Sequence, residues 1–234
     1  MLLSLDLALP RKFFIHGFFT VNGQKMSKSL GNVIDPLELS KQYGVDALRY
    51  FLLSEFPFGQ DGDVSIKRLE ERYNADLANN LGNLVSRVLT MAEKYFKGQI
   101  PKAKPQPDLV KLVEKTWQNY EQGLEQIKFY EVLTDVWKLI SFTNNYIEKN
   151  KPWDLAKSNP EKLKKVIANL LESLRQIAWM LQPFIPETSD KILTQLGLNP
   201  AKEKQKTFKE IAKWGGLEPG TKIKKGPSLF PRLK

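Results

Sequence analysis

The sequence contains no cysteine and a single histidine, His16. The absence of cysteine excludes disulfides, thiol nucleophiles and cysteine-ligated zinc. One histidine cannot build a histidine-based metal site, so we predict no metal centre in this chain. His16 has no evident catalytic partner near it in the sequence, and we interpret it as a structural residue.

Long apolar runs are also missing. No segment approaches the roughly 20 apolar residues that a membrane-spanning helix needs, so we predict a protein that is not embedded in a membrane. Residues 1–9 are apolar, but they lack the basic lead-in and the small-residue cleavage site of a signal peptide. Together with the lack of cysteine, these features favour a cytoplasmic location.

Positive charge is what the sequence has in excess. Lys and Arg number 36 against 26 Asp and Glu, which gives a net charge of +10 and a pI of about 9.5. Such a surplus favours a polyanionic partner, and RNA, DNA and an anionic membrane surface all remain open. The basic residues are concentrated in residues 201–234, where Lys222, Lys224 and Lys225 are candidates for phosphate contacts. A solvated segment that packs back on the rest of the chain is an equally good interpretation.

Hydrophobic periodicity divides the chain into three parts. Residues 1–64 look mixed, with strand-like runs at 13–15 and 18–21, a turn centred on Asn22, and a helix that starts after Asp35. Residues 65–200 show apolar side chains at three- and four-residue spacing, which predicts an antiparallel helical bundle. Residues 201–234 form a basic tail that we expect to be partly irregular and exposed. The predicted fold class is mainly α, with a short α/β segment before the bundle.

The clearest chemical motif is the loop Lys25-Met26-Ser27-Lys28-Ser29. Two ammonium groups stand three residues apart, separated by small hydroxyl residues and bracketed by Gly23 and Gly31. A loop of this kind can place positive charge and hydroxyl donors on a triphosphate, where negative charge accumulates in the transition state of an attack on phosphorus. The alternative is a solvated basic loop. The match over all five residues, between a strand-like run and a capped helix, favours the functional interpretation.

A second candidate site lies in the bundle. Asn83 and Arg87 fall one helical turn apart on the side of their helix opposite the apolar stripe. Poor helix formers are crowded into the middle of the same helix (Asn79, Asn80, Gly82 and Asn83), a local conflict that favours a functional surface. Asn and Arg can both hydrogen-bond RNA bases. A solvated face with incidental Asn is the alternative, and the spacing alone does not decide between them.

A tryptophan at the start of a turn adds to this surface. Trp153 follows Pro152 and lies off the apolar stripes, whereas Trp137 and Trp179 fit core positions. Exposed aromatic rings are platforms on which nucleic-acid bases stack.

The Lys25–Ser29 loop is the signature of class I aminoacyl-tRNA synthetases, and its surroundings resemble the methionyl-tRNA synthetase family. The resemblance is carried by residues 16–32, by 43–50 and by the closing 229–232. It implies a remnant of a Rossmann-type catalytic domain ahead of an anticodon-binding bundle. It further implies ATP, with Mg²⁺, as substrate and Lys25 and Lys28 as catalytic residues. By the same resemblance the ATP-binding residues are Lys25, Met26, Ser27, Lys28 and Ser29, and the residues that read the CAU anticodon of tRNA(Met) are Asn83, Arg87 and Trp153.

The departures from that family are equally informative. Its His-x-Gly-His signature cannot be present with one histidine, and the methionine pocket, most of the nucleotide-binding sheet and the metal-binding knuckle are missing as well. We therefore expect a partner, the N-terminal catalytic half, as a separate subunit or a missing segment, and we expect this chain alone to be inactive. Two alternatives remain: a non-catalytic tRNA-binding protein derived from such an enzyme, and the corresponding part of a valyl-, isoleucyl- or leucyl-tRNA synthetase.

Overall fold

The computed structural model describes residues 2–10, 13–21 and 23–233. Three short strands near the N-terminus form one sheet: β1 (Phe19–Val21), β2 (Gln24–Lys25) and β3 (Gly62–Asp63). Their order is β2-β1-β3, with β1 antiparallel to β2 and parallel to β3. Thr20 lies at the centre, paired with Lys25 on one side and Asp63 on the other. The sheet therefore brings the start of the Lys25–Ser29 loop beside a segment some 40 residues later in the chain.

The strand predicted at residues 13–15 is wrong. These residues form neither helix nor strand, and Phe13 and Ile15 are 81% and 86% exposed. A strand is stabilised by a neighbour that pairs with its backbone, and the described residues provide none here. The second run, 18–21, does form β1. The turn predicted at Asn22 falls on a residue outside the described ranges, between β1 and β2.

Two helices connect the sheet to the rest of the molecule. Helix α1 (Pro36–Tyr43) begins as predicted, because the Asp35 side chain accepts a hydrogen bond from the Leu37 N–H at 2.8 Å. Helix α2 (Val45–Ser54) follows directly. Its Arg49 side chain donates to the carbonyls of Phe184 and Pro183 at 2.8 and 2.7 Å. These bonds fix the loop-bearing part of the chain against the bundle.

The longest helical rod has an unusual centre. Helix α3 (Ile66–Arg72), a π-helical segment (Tyr73–Gly82) and helix α4 (Asn83–Phe96) follow one another without a break. The π-helical segment contains Asn79, Asn80 and Gly82, the weak helix formers noted in the sequence. π-helical turns are rare and frequently occur at functional sites, so the residues around this segment are candidates for a functional surface.

The remaining helices complete the bundle. They are α5 (Pro107–Glu125), α6 (Phe129–Asn150), α7 (Pro152–Ser158), α8 (Pro160–Leu181), α9 (Pro186–Gln195), α10 (Pro200–Glu203) and α11 (Phe208–Ala212). Helix α8 lies at the centre, with every residue from Asn169 to Leu181 buried, and it packs against α4, α6, α7 and α9. The mainly α fold with a helical bundle is confirmed. The domain limits at residues 65 and 201 stay predictions.

The tail predicted at residues 201–234 is partly irregular, as expected, since it contains α11 and most of α10 and has no further helix in its described part. It is not simply solvated. Leu217, Ile223 and Phe230 are all buried. The Phe230 ring meets the Tyr73 ring edge-on with 5.7 Å between centroids. In the part of the chain that the structure describes, no helix is long and apolar enough to cross a membrane.

Candidate functional site

The Lys25–Ser29 loop projects from the β1–β2 hairpin and is held by its own backbone and by Asn32. The Asn32 Oδ1 atom accepts from the Ser27 N–H at 2.8 Å, and its Nδ2 donates to the Lys25 carbonyl at 3.3 Å. The hydroxyls of Ser27 and Ser29 hydrogen-bond each other at 2.7 Å. Residues Lys28–Leu30 make a single 3₁₀ turn that ends at Gly31 with φ of 65°, a left-handed conformation that suits glycine.

The base of the loop is fixed by a carboxylate from β3. Asp63 accepts from the Gly23 N–H at 2.8 Å and from the Thr20 hydroxyl at 2.9 Å. The bond from Gly23, and then that from Thr20, lowers the pKa of Asp63. The ionised carboxylate is therefore favoured in the folded chain. Its contribution to holding the loop is present above the carboxyl's ordinary pKa and is lost as the pH falls through the lower folded value.

The two lysines of the loop are not equivalent. The Lys25 ammonium lies over the Phe18 ring, 4.1 Å from its centroid. Lys28 is exposed and forms no ion pair with any carboxylate of the described residues. The loop thus offers one ammonium resting on an aromatic ring and one that is unengaged. This arrangement can present positive charge to a phosphate chain.

The second predicted site lies at the junction between the π-helical segment and α4. Asn83, the first residue of α4, is exposed, and Arg87 follows one turn later with 30% of its side chain exposed. Arg87 Nη2 donates to Glu148 Oε1 on α6 at 2.6 Å. Sequence reasoning missed Glu148, because 61 residues separate the two partners and no local pattern links them.

The same junction is tied to α6 by a pair of asparagines. Asn144 Nδ2 donates to Asn80 Oδ1 at 2.8 Å, and Asn80 Nδ2 donates to the Ser141 hydroxyl at 3.3 Å. Asn80 therefore belongs to the support of this surface, while Asn83 remains free to face solvent. A signal for Asn80 was present in the sequence as the cluster of weak helix formers.

Trp153 lies in α7 rather than in the turn that the sequence predicts. The left-handed backbone of Lys151, with φ of 44°, ends α6, and Pro152 starts the new helix. Trp153 is 40% exposed, whereas Trp179 in α8 is 6% exposed. Trp179 is a core residue, as predicted, whereas Trp137, predicted to be one as well, is only partly buried and packs against the core. The roles of Lys25, Lys28, Asn83, Arg87 and Trp153 as site residues stay predictions.

Two parts of the chain match family models of known proteins. Residues 1–89 match the family model described as tRNA synthetases class I (M), and residues 99–234 match that of the anticodon binding domain of methionyl tRNA ligase. The methionine–tRNA ligase of Caldanaerobacter subterraneus subsp. tengcongensis is 46% identical over 239 residues. That of Bacillus subtilis is 45% identical over 241 residues. All of this chain is covered in both matches, but the chain spans only 37% and 36% of these relatives.

Solved structures agree with this assignment. The methionyl-tRNA synthetase of Mycobacterium tuberculosis in complex with methionyl-adenylate matches with a TM-score of 0.89 and 35% identity, covering 99% of this chain and 46% of that one. Its apo form matches with a TM-score of 0.85 and 32% identity. From the sequence motifs, the helical bundle and these matches together, we conclude that the chain belongs to the methionyl-tRNA synthetase family.

Proposed function

We propose that this chain supplies the ATP-handling loop and the anticodon-binding bundle of a methionine–tRNA ligase that acts in the cytoplasm. The observation that carries the proposal is the pairing of two features in one chain. One is the Lys25–Ser29 loop on its hairpin, and the other is a bundle that exposes Asn83, Arg87 and Trp153. The bacterial methionine–tRNA ligases that it resembles support the proposal.

The loop's part in the chemistry follows from charge. The methionine carboxylate attacks the α-phosphorus of ATP, pyrophosphate leaves, and methionyl-adenylate forms. Negative charge grows on the phosphate oxygens during this step, so the ammonium groups of Lys25 and Lys28 stabilise the transition state more than the ground state. Mg²⁺ would arrive with ATP as part of the substrate.

Exposed apolar surface near the N-terminus supports a covering partner, the N-terminal catalytic half. Leu3, Phe13 and Ile15 are 71%, 81% and 86% exposed. A cavity of about 230 Å³ begins at His16, next to Ile15, and its lining includes the aromatic side chains of Phe19, Phe56 and Phe129. Burying exposed apolar side chains is favourable, so a partner that covers them would be stabilised.

Reconstitution tests the catalytic part of the proposal. Mixing this chain with the N-terminal catalytic half of a methionine–tRNA ligase is expected to restore methionine-dependent charging of tRNA(Met). RNA binding without charging at any ratio would favour the non-catalytic RNA-binding protein instead.

Replacing Trp153 by Ala is expected to weaken binding of an RNA hairpin that carries a CAU loop by about 1–3 kcal/mol, since an aromatic stacking platform is lost. Thermal melting should change little because the side chain is 40% exposed. Fluorescence anisotropy and a melting curve measure the two effects. Trp179→Ala is the contrasting variant, since its burial predicts a large loss of stability. Collapse of melting with intact affinity in the Trp153 variant would show that Trp153 is a core residue.

A further inference from the structure

The C-terminal strap, defined here as residues 211–233, is held on the bundle at defined points. The Ile223 N–H donates to the Gly98 carbonyl at 2.8 Å just beyond the end of α4, and the Ile223 side chain is buried. The Lys224 N–H donates to the Gln195 carbonyl at 2.9 Å, and the Gly226 N–H donates to Gln195 Oε1 at 2.8 Å. The backbone on both sides of Lys225 is therefore fixed between the ends of α4 and α9.

This anchoring places Lys225 against α4. Its N–H donates to Glu93 Oε1 at 2.9 Å, and its Nζ donates to the Thr90 hydroxyl at 2.8 Å. Thr90 follows Arg87 by three residues and Asn83 by seven, so the three lie on one side of the helix. Lys94, four residues beyond Thr90, continues the same line. The strap thus places the Lys225 ammonium group on the side of α4 that carries the proposed RNA-contacting residues.

The lysines on this line, and Lys224 next to Lys225 in the strap, have no carboxylate partner for their ammonium groups among the described residues, although the Lys94 ammonium lies 5.4 Å from the centroid of the Tyr95 ring. Lys94, Lys224 and Lys225 are exposed, and none forms an ion pair with a carboxylate in the described ranges. The neighbouring Glu93 carboxylate accepts from the Lys225 backbone. Two other lysines of the C-terminal region do form ion pairs, Lys204 with Asp190 at 2.7 Å and Lys206 with Glu203 at 2.5 Å.

We infer that Lys224 and Lys225, together with Lys94 on α4, bind the sugar–phosphate backbone of the RNA whose bases meet Asn83 and Arg87. This inference rests on the proposed function and extends it from the bases to the backbone. Phosphate contacts fix the register and orientation of a nucleic acid without reading its sequence. The part of the strap around Lys224 and Lys225 therefore belongs to the RNA-binding surface, and these two lysines orient the RNA over α4.

The test compares the salt dependence of RNA binding in the full chain and in the double variant Lys224→Ala/Lys225→Ala. Two RNA hairpins with the same stem are titrated by anisotropy at several salt concentrations, one with a CAU loop and one with the loop bases reordered. Each lost phosphate contact reduces the slope of log K against log salt by about 1, so the slope should become shallower by about 2. The affinities for both hairpins should fall by the same factor.

Lys209→Ala/Lys213→Ala is the matched control, because it removes two lysines in or next to α11 and leaves Lys224 and Lys225 in place. It should keep the wild-type slope, and melting curves should show that both double variants remain folded. An unchanged slope in Lys224→Ala/Lys225→Ala, or an equal change in the control, would overturn the inference. Failure of the proposed function has a different signature, since the wild-type chain would then bind both hairpins with equal affinity.

Discussion

Replacing Glu172 by Ala is expected to lower the free energy of unfolding by about 3–5 kcal/mol, the usual cost of removing one partner of a buried ion pair. Glu172 and Arg175 lie one turn apart on α8, and their side chains are 5% and 1% exposed. Glu172 Oε1 accepts from Arg175 Nη2 at 2.7 Å and from Nε at 2.9 Å. Without the carboxylate, the guanidinium stays buried with its charge uncompensated.

The same carboxylate also holds the strap. It accepts from the backbone N–H groups of Gly215 and Leu217 at 2.9 and 3.1 Å, while Arg175 donates to the Lys213 carbonyl at 2.6 Å. The Glu172→Ala variant should therefore loosen the strap as well as the core. Hydrogen exchange at the amides of residues 215–217 measures the first effect, and urea unfolding measures the second.

Glu161→Ala in the same helix is the matched control. Glu161 pairs with Lys164 at 3.3 Å, but its side chain is 84% exposed, so its loss should cost less than about 1 kcal/mol. Replacing Glu172 and Arg175 together by Leu and Met should recover part of the stability, because no unpaired charge is left, although the strap N–H groups still lack their acceptor. Equal stabilities of the Glu161 and Glu172 variants would contradict this account of the buried pair.

The helices could be predicted closely from the sequence because their signals are local. Helix α8 is an example, since Pro160 is its first residue and Pro183 and Pro186 follow shortly after its last residue, Leu181. The run at 13–15 failed for the opposite reason. Its apolar side chains predict a strand, but a strand depends on a distant partner that sequence periodicity does not reveal.

The candidate site also combines residues with a local sequence signal and residues whose partners are distant in the chain. Lys28 follows from the motif of its loop, whereas the assignment of Asn83, Arg87 and Trp153 depends on the family resemblance, because their residue types and spacing fit a solvated surface equally well. The groups that hold or oppose these residues could not be predicted, since Glu148 and Asp63 reach their partners across 61 and 40 residues. The positive charge of the strap can be predicted from the sequence. Its attachment to the bundle cannot, because it depends on the buried Glu172–Arg175 pair in α8.

The catalytic prediction concerns Lys28. In the enzyme reconstituted with the N-terminal catalytic half, Lys28→Ala is expected to lower kcat for methionine-dependent ATP–pyrophosphate exchange by about 10²–10³, the usual cost of losing one electrostatic donor to the transition state. The KM for methionine should hardly change, because the ammonium acts on charge that develops at phosphate and not on the bound amino acid.

Of the two loop lysines, Lys28 gives the more direct test of transition-state stabilisation. Lys25 rests over the Phe18 ring, so its replacement also removes a contact within the hairpin, whereas Lys28 is exposed and engages no carboxylate of the described chain. Lys41→Ala, an exposed lysine on α1, is the control for loss of one positive charge and should retain wild-type exchange. If Lys28→Ala raised only the KM for ATP and left kcat intact, the loop would bind the nucleotide without stabilising the transition state.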